Sequence, residues 1–272
     1  MSAAVALAAG GVFLATRGDD SASSATVADP EVGADLHSVA AVEDALYVGG
    51  HAAVVVSRDD GRTWQQVPSL AGADAMGWAV TPDAMLVGGH PGLYRSTDRG
   101  ATFAQVGDAG DVHALGGSGS TLYLGSPEAG LLASSDGGRS WQVRNAQAGR
   151  SFMGTIQVDP RNPDRLLAPD MSAGMSLSRD GGRTFTPLGG PAGAMAAAWN
   201  PKNVDDMIAV GMDGGARSTD GGQTWQDVPL PAGTTAVTYS EDGAVLYAAA
   251  LEDQQASTYR SLDAGSSWSP TP

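Results

Sequence analysis

The chain has 272 residues, of which 42% are hydrophobic and 17% charged, and it contains 38 glycines and no cysteine. The lack of cysteine excludes a fold held by disulfides or by zinc thiolates, and the high glycine content predicts many turns. Thirty acidic residues against fifteen basic ones give a net charge of −15 at pH 7. Such a surface repels nucleic acids and anionic lipids and favours cations as ligands.

The first segment in chain order is apolar. Residues 2–16 carry no charge and consist mostly of Ala, Val, Leu, Gly and Phe. This length is short for a membrane-spanning helix and matches the hydrophobic part of a signal peptide, although a positive start and a small-residue cleavage site are missing. We interpret residues 1–20 as an export signal or anchor remnant, with a disordered Ala-rich N-terminus as the alternative, and 21–35 as a flexible linker. The first interpretation predicts an exported protein, secreted or membrane-anchored, that meets the membrane only through this segment.

An internal repeat fills the rest of the chain. The pattern S-x-D-x-G-x-[ST]-[WF] occurs six times, at intervals of 38 to 44 residues, starting at Ser57, Ser96, Ser134, Ser178, Ser218 and Ser261. In each copy the glycine suits the positive φ of a tight hairpin, and the Ser/Thr and Asp oxygens can accept the turn's backbone N–H groups. The repeated carboxylates are Asp59, Asp98, Asp136, Asp180, Asp220 and Asp263. The aromatic residue that follows opens the next strand and is expected to be buried.

Each repeat contains four short strand-like runs, which in the fourth repeat are 155–158, 165–168, 175–178 and 184–188. Helical periodicity of useful length is absent. Four antiparallel strands in a repeat of this length predict one blade of a β-propeller. We therefore predict an all-β, six-bladed propeller over residues 36–272, with one such turn per blade. The last outer strand is short, so part of the linker is expected to help close the ring.

These repeats resemble the Asp-box, or BNR, repeats of sialidases and other glycosidase propellers, of sortilin-type receptors and of photosystem II assembly-factor propellers. The resemblance covers nearly the whole folded chain. It is strongest to small bacterial "glycosylhydrolase-like" BNR-repeat proteins, through segments such as Leu46-Tyr-Val-Gly-Gly-His51 and Gly92-Leu-Tyr-Arg-Ser-Thr-Asp98. It implies the fold but no activity, because Asp-boxes lie on turns at the blade periphery, away from the ligand face.

The resemblance to sialidases implies three arginines around a substrate carboxylate. Most arginines here lie in or directly before Asp-boxes, and only Arg144 and Arg150 are predicted near the opposite face, so sialidase activity is poorly supported. A pair of carboxylates would still suffice for another glycosidase. The candidates on the ligand-side loops are Asp35, Asp74, Asp111, Glu128, Asp170 and Asp213. No pair stands out among them, and we assign no catalytic residue.

The histidines and most methionines map to the face opposite the Asp-boxes. Those that enter the inner strands are His37, Met76, His113, Met153 and Met195. Those in the loops after the second strands are His51, His90, Met171 and Met212. Thioether and imidazole together are ligands of copper, Cu(I) most of all. The alternative is that the methionines fill an irregular channel mouth and that the histidines are inherited by duplication of the repeat.

The sequence therefore favours an exported, non-catalytic, monomeric binding propeller whose His/Met-lined face holds copper or another soft metal. The first alternative is a glycoside hydrolase of the sialidase or BNR type, and the next is a protein-docking scaffold. The partners expected at this face are a metal ion, a carbohydrate or a protein, but not a nucleic acid.

Overall fold

Each repeat folds into a four-stranded antiparallel sheet, because apolar and β-branched runs alternate with glycine-rich turns, and the fourth repeat adds one short strand to the sheet before it. The computed structural model describes residues 30–107 and 110–272. The predicted export segment and most of the predicted linker therefore lie outside the described residues. Six sheets form the six-bladed β-propeller that the repeat predicts. Within the described ranges, no helix has the length and apolar character needed to cross a membrane.

The strands of blades 1 to 3 follow the chain outward from the axis. Blade 1 consists of β1 (Leu36–Val42), β2 (Ala45–Gly50), β3 (Val54–Ser57) and β4 (Gln65–Gln66). After a 3-10 turn (Pro68–Leu70), blade 2 consists of β5 (Gly77–Thr81), β6 (Ala84–Gly88), β7 (Leu93–Ser96) and β8 (Ala104–Gln105). Blade 3 consists of β9 (Ala114–Ser118), β10 (Thr121–Ser126), β11 (Gly130–Ser134) and β12 (Gln142–Asn145).

Blades 4 to 6 repeat this order. After β13 (Gly154–Thr155), which joins the sheet of blade 3, blade 4 consists of β14 (Gln157–Asp159), β15 (Asn162–Asp170), β16 (Gly174–Ser178) and β17 (Thr186–Gly189). Blade 5 consists of β18 (Ala196–Trp199), β19 (Met207–Gly211), β20 (Gly214–Ser218) and β21 (Gln226–Val228). Blade 6 consists of β22 (Thr234–Tyr239), β23 (Leu246–Glu252), β24 (Gln255–Ser261) and β25 (Ser269–Pro270).

The inner strand of blade 4 differs from the prediction. The sequence predicts one strand over 155–158, whereas the chain forms β13 and β14, separated at Ile156. β13 pairs in parallel with β9 of blade 3, through Gly154 and Ala114, while β14 pairs with β15. Gly154 has a φ of +67°, and a Cβ at Gly116 would lie 1.7 Å from the carbonyl oxygen of Ile156. The two glycines thus allow a close approach of two backbones, which diverts the strand.

Ring closure involves the linker, as the short last strand predicts. Glu31 forms an antiparallel bridge with Gln255 at the edge of β24, and the N–H of Val32 donates to the carbonyl of Gln254 at 3.1 Å. β25 pairs with the same strand further along. Two segments from distant parts of the sequence therefore complete the outer edge of blade 6.

The hydrophobic core lies between neighbouring blades. Between blades 1 and 2, for example, Tyr47, Trp78 and Met85 pack in one cluster. Of the Asp-box aromatics, Trp64 and Phe103 are buried. The expectation of burial is wrong for the other four, which are half-buried: Trp141, Phe185, Trp225 and Trp268. Each of these four rings still packs against the core cluster of a neighbouring pair of blades.

Candidate functional site

The Asp-boxes are self-contained turns between the third and fourth strands of each blade. In the first, Ser57 Oγ donates to Asp59 Oδ1 and accepts the N–H of Gly61, both at 2.8 Å. The N–H and hydroxyl of Thr63 donate to the two oxygens of Asp59 at 2.9 and 2.7 Å. The equivalent bonds recur in the other five copies. Both oxygens of each aspartate therefore accept hydrogen bonds from its own turn.

The hydrogen bonds within the Asp-box turns lower the pKa values of these carboxylates. Hydrogen bonds from the side chain and N–H of the following Thr or Ser stabilise the ionised form and lower the pKa of each aspartate. The pKa falls to about 2 at Asp98, Asp180, Asp220 and Asp263. We conclude that these aspartates hold the turns, because both oxygens of each one accept hydrogen bonds from its own turn.

On the opposite face, which we call the axial face, the repeat places one residue per blade at the start of the inner strand. These equivalent residues are His37, Met76, His113, Met153, Met195 and Thr235. In blades 2 to 5 the N–H of this residue donates to a carbonyl of the second strand at 2.8 to 3.1 Å. In blades 1 and 6 the residue lies at a shift of register between the first two strands. The backbone therefore fixes the same position in all six blades.

Five of these residues line one cavity of about 160 Å³, which we call the axial cavity. They are His37, Met76, Met153, Met195 and Thr235, accompanied by Asp35, Leu36, Gly154 and Leu251. Met76 is buried, and the other four are half-buried. Three thioethers and an imidazole, each from a different blade, thus border a space large enough for a few water molecules.

Asp74 connects three of the four histidines. It lies before β5, has a φ of +46°, and is 8% exposed. Its Oδ1 lies 2.9 Å from His37 Nε2 and 3.5 Å from His51 Nδ1, and its Oδ2 lies 4.0 Å from His90 Nε2. Despite these short contacts, no donor in the described part of the chain is aligned for a hydrogen bond to Oδ1. Asp74 thus lies buried among three imidazoles from two blades.

His90 also contacts blade 3. Its Nδ1 lies 2.8 Å from Asp111 Oδ1, and its ring centroid lies 5.1 Å from that of His113. Two sets of three side chains each offer one ligand atom within 4.8 Å of the others, namely Asp35, His37 and His51, and His90, Asp111 and His113. His113 thus lies with this second set and is not among the residues that line the axial cavity.

The protonation states on the axial face suit metal binding. Burial raises the pKa of Asp74, but the contacts with His37, His51 and His90 outweigh this effect and bring its pKa below the ordinary value. Burial, reinforced by the charge of His90, lowers the pKa of His113. Asp74 is therefore ionised and His113 neutral at pH 7, which are the forms that bind metal ions.

The remaining predicted residues lie further from the axis. Met171 and Met212 are 40% and 71% exposed in the loops after the second strands of blades 4 and 5. Arg150 donates to the carbonyls of Ala146 and Pro127, so its guanidinium is held within blade 3. Asp170 accepts the hydroxyl of Ser151 at 2.8 Å, and Glu128 and Asp213 are exposed.

Sequence reasoning treated Asp74 and Asp111 only as candidate catalytic acids and missed their contacts with histidine. A signal was present, because Asp35, Asp74 and Asp111 each precede a His or Met of the axial ring by two residues. This spacing places a carboxylate beside the ring residue of the same blade and near the loop of its neighbour.

Comparison with known proteins agrees with the repeat and the fold. A profile of the BNR/Asp-box repeat matches residues 216–227, which contain the fifth Asp-box. The chain is a BNR-repeat β-propeller. No curated protein sequence matches this BNR-repeat propeller significantly.

Solved structures similar to this propeller include an enzyme and a peptide complex. One is the GH74 xyloglucanase from Xanthomonas campestris, with a TM-score of 0.60 and 19% identity over 88% of this chain and 45% of the enzyme. Another is YCF48 bound to D1 peptide, with a TM-score of 0.57 and 15% identity over 90% of this chain and 84% of YCF48. A third is YCF48 from Cyanidioschyzon merolae, with a TM-score of 0.52 and 17% identity over 90% of this chain and 88% of that protein. This chain thus spans less than half of the xyloglucanase, and at these identities the similarity shows the fold alone.

Proposed function

We propose that the chain is an exported, monomeric and non-catalytic binding propeller that holds copper, as Cu(I), in the axial cavity. The observation that carries this proposal is that His37, Met76, Met153 and Met195 line one small cavity. Thioether and imidazole ligands prefer Cu(I) to hard cations such as Mg²⁺ and Ca²⁺. The net charge of −15 concentrates cations near the protein without selecting among them.

Asp74 supports the role of His37 as a ligand. Its Oδ1 lies 2.9 Å from His37 Nε2, which leaves Nδ1 as the nitrogen available to a metal ion. A carboxylate that accepts the N–H of the second nitrogen orients a metal-bound imidazole and makes it a better donor, so alignment of His37 Nε2–H with Asp74 Oδ1 would favour this role. The axial cavity would therefore offer one oriented imidazole together with three thioethers.

The proposal is tested by titrating the full chain, purified without a His-tag, with Cu(I) under anaerobic reducing conditions against a chromogenic Cu(I) chelator. We expect the wild-type protein to bind one Cu(I) ion per chain tightly. Combined M76L, M153L and M195L substitutions keep the side-chain volume but remove the sulfur atoms. They should weaken Cu(I) binding at least about 10-fold, because even the loss of a residue that only supports a metal ligand lowers affinity by about 10- to 100-fold.

The matched control is Met212→Leu, which changes an exposed methionine outside the axial cavity and should leave the Cu(I) affinity unchanged. Equal affinity of the wild type and the triple variant would refute the copper proposal. The methionines would then serve only to fill the channel mouth.

A glycoside hydrolase is the second candidate, favoured by the similarity to the GH74 xyloglucanase. Asp74 and Asp111 face the two nitrogens of His90 at 4.0 and 2.8 Å, so two carboxylates flank one imidazole on the axial face, and a glycosidase needs such a pair of acids. This function requires hydrolysis of xyloglucan or an aryl glycoside that is lost in both Asp74→Asn and Asp111→Asn. The copper proposal requires no such activity.

A further inference from the structure

Blades 2 and 3 are joined on the axial face by a short backbone contact. His90 follows β6, while Asp111 and His113 immediately precede β9. The N–H of Val112 donates to the carbonyl of Gly89 at 3.1 Å across the two segments, and the N–H of His113 donates to the carbonyl of Gly125 in β10, within blade 3, at 3.0 Å. The two segments that carry the three side chains are therefore fixed to each other by the sheet framework, which reduces the cost of bringing the donors together.

The donor atoms of these side chains already lie within reach of one ion. His90, Asp111 and His113 offer one nitrogen or oxygen each within 4.8 Å of the others, and His90 Nδ1 lies 2.8 Å from Asp111 Oδ1. Zinc and similar ions bind imidazole nitrogen and carboxylate oxygen at about 2.0–2.2 Å. Small rotations about the side-chain bonds would place all three donors at that distance from a common centre.

We propose that His90, Asp111 and His113 form a second metal site, separate from the axial cavity, for a divalent transition-metal ion such as Zn²⁺ or Cu²⁺. Imidazole and carboxylate favour these borderline ions, whereas the thioethers of the axial cavity favour Cu(I). Three protein donors leave a coordination position open. The side chains of His90 and Asp111 are 38% and 48% exposed, so solvent or a donor group of a bound partner can reach this position.

Asp74 is the positioning residue of the second site. Its Oδ2 lies 4.0 Å from His90 Nε2, on the side of the ring away from Asp111. Closure of this gap would orient the His90 imidazole as its Nδ1 binds the ion. The same carboxylate contacts His37 through Oδ1, so Asp74 would support both sites. Asp74 thus lies between one imidazole of each proposed site, His37 and His90.

The test uses the full chain, freed of metal by dialysis against a chelator, with Zn²⁺ and Co²⁺ as probes. We expect one Zn²⁺ equivalent by competition with a chromogenic chelator, and visible Co²⁺ absorption bands typical of a low-coordinate nitrogen and oxygen site. Asp111→Asn and His90→Gln should each weaken Zn²⁺ binding at least about 10-fold. The control, Glu128→Gln, changes an exposed carboxylate of the same blade and should have no effect.

Two further variants distinguish this site from the copper site in the axial cavity and from a purely structural role of Asp74. The M76L/M153L/M195L protein should bind Zn²⁺ as the wild type does, so a failed copper proposal leaves this one standing. Asp74→Asn should alter the Co²⁺ spectrum and weaken Zn²⁺ binding about 10- to 100-fold, whereas a purely structural Asp74 would lower the melting temperature and leave the spectrum unchanged. If Asp111→Asn binds Zn²⁺ with wild-type affinity, or the wild type binds none, His90 and Asp111 form an ion pair only and the second site is refuted.

Discussion

The two faces of this propeller use aspartate in opposite ways. On the Asp-box face, Asp59 and its five equivalents accept hydrogen bonds from residues no more than four positions away. On the axial face, Asp74 and Asp111 meet imidazoles from neighbouring blades, and Asp74 Oδ1 has no aligned donor among the described residues. A carboxylate satisfied within its own turn holds the fold. A carboxylate that meets imidazoles of other blades lies beside the residue types that bind metal ions.

The substitution Ser57→Ala on the Asp-box face is expected to have the largest effect, a loss of stability without a change in metal binding. Ser57 is 1% exposed, donates to Asp59 and accepts the N–H of Gly61. Its loss leaves a buried N–H without a partner, at a cost of about 1–3 kcal/mol. We expect thermal unfolding by calorimetry to shift down by several degrees while Cu(I) and Zn²⁺ affinities stay unchanged. Loss of metal binding in a folded Ser57→Ala protein would contradict the division between the faces.

A smaller effect is expected from acid. The Asp-box aspartates have pKa values lowered by hydrogen bonds, to about 2 at Asp98, Asp180, Asp220 and Asp263, below the unfolded value of about 3.9. Because the unfolded chain takes up protons first, their contribution to stability is complete above about pH 5 and is lost progressively toward pH 2. Denaturant unfolding measured from pH 7 to pH 2 should follow this course.

Asp220→Asn sharpens the acid prediction, because it removes one of the titrating groups. The variant should be less stable than the wild type at pH 7 and should lose less stability between pH 5 and pH 2. An identical loss in both proteins would show that the Asp-box carboxylates do not govern the acid transition. Asp213→Asn is the control, because this exposed carboxylate lies outside the Asp-boxes.

The contrast between the faces also explains what the sequence predicts. The fold and its structural aspartates follow from a pattern of eight residues, because every partner of Asp59 lies within the same turn. The positions of Met76, Met153 and Met195 at the axis follow from the same repeat, since each starts an inner strand.

Features that depend on contacts between blades could not be predicted from the repeat pattern. The break of the blade 4 strand at Ile156 arises where the backbones of two blades come close. The role of Asp74 depends on His51 and His90, which come from loops of two different blades. In a chain with thirty acidic residues, one such aspartate has no local signature.

The central claim is that the axial face, and not the Asp-box face, binds metal. Its most direct test is an anomalous difference map, measured at the copper absorption edge, from crystals of the full chain loaded with Cu(I) under reducing conditions. The account predicts the strongest peak in the axial cavity, within bonding distance of His37 and of sulfur atoms of Met76, Met153 and Met195. An empty axial cavity in such crystals, or copper bound at the Asp-box carboxylates, would contradict it.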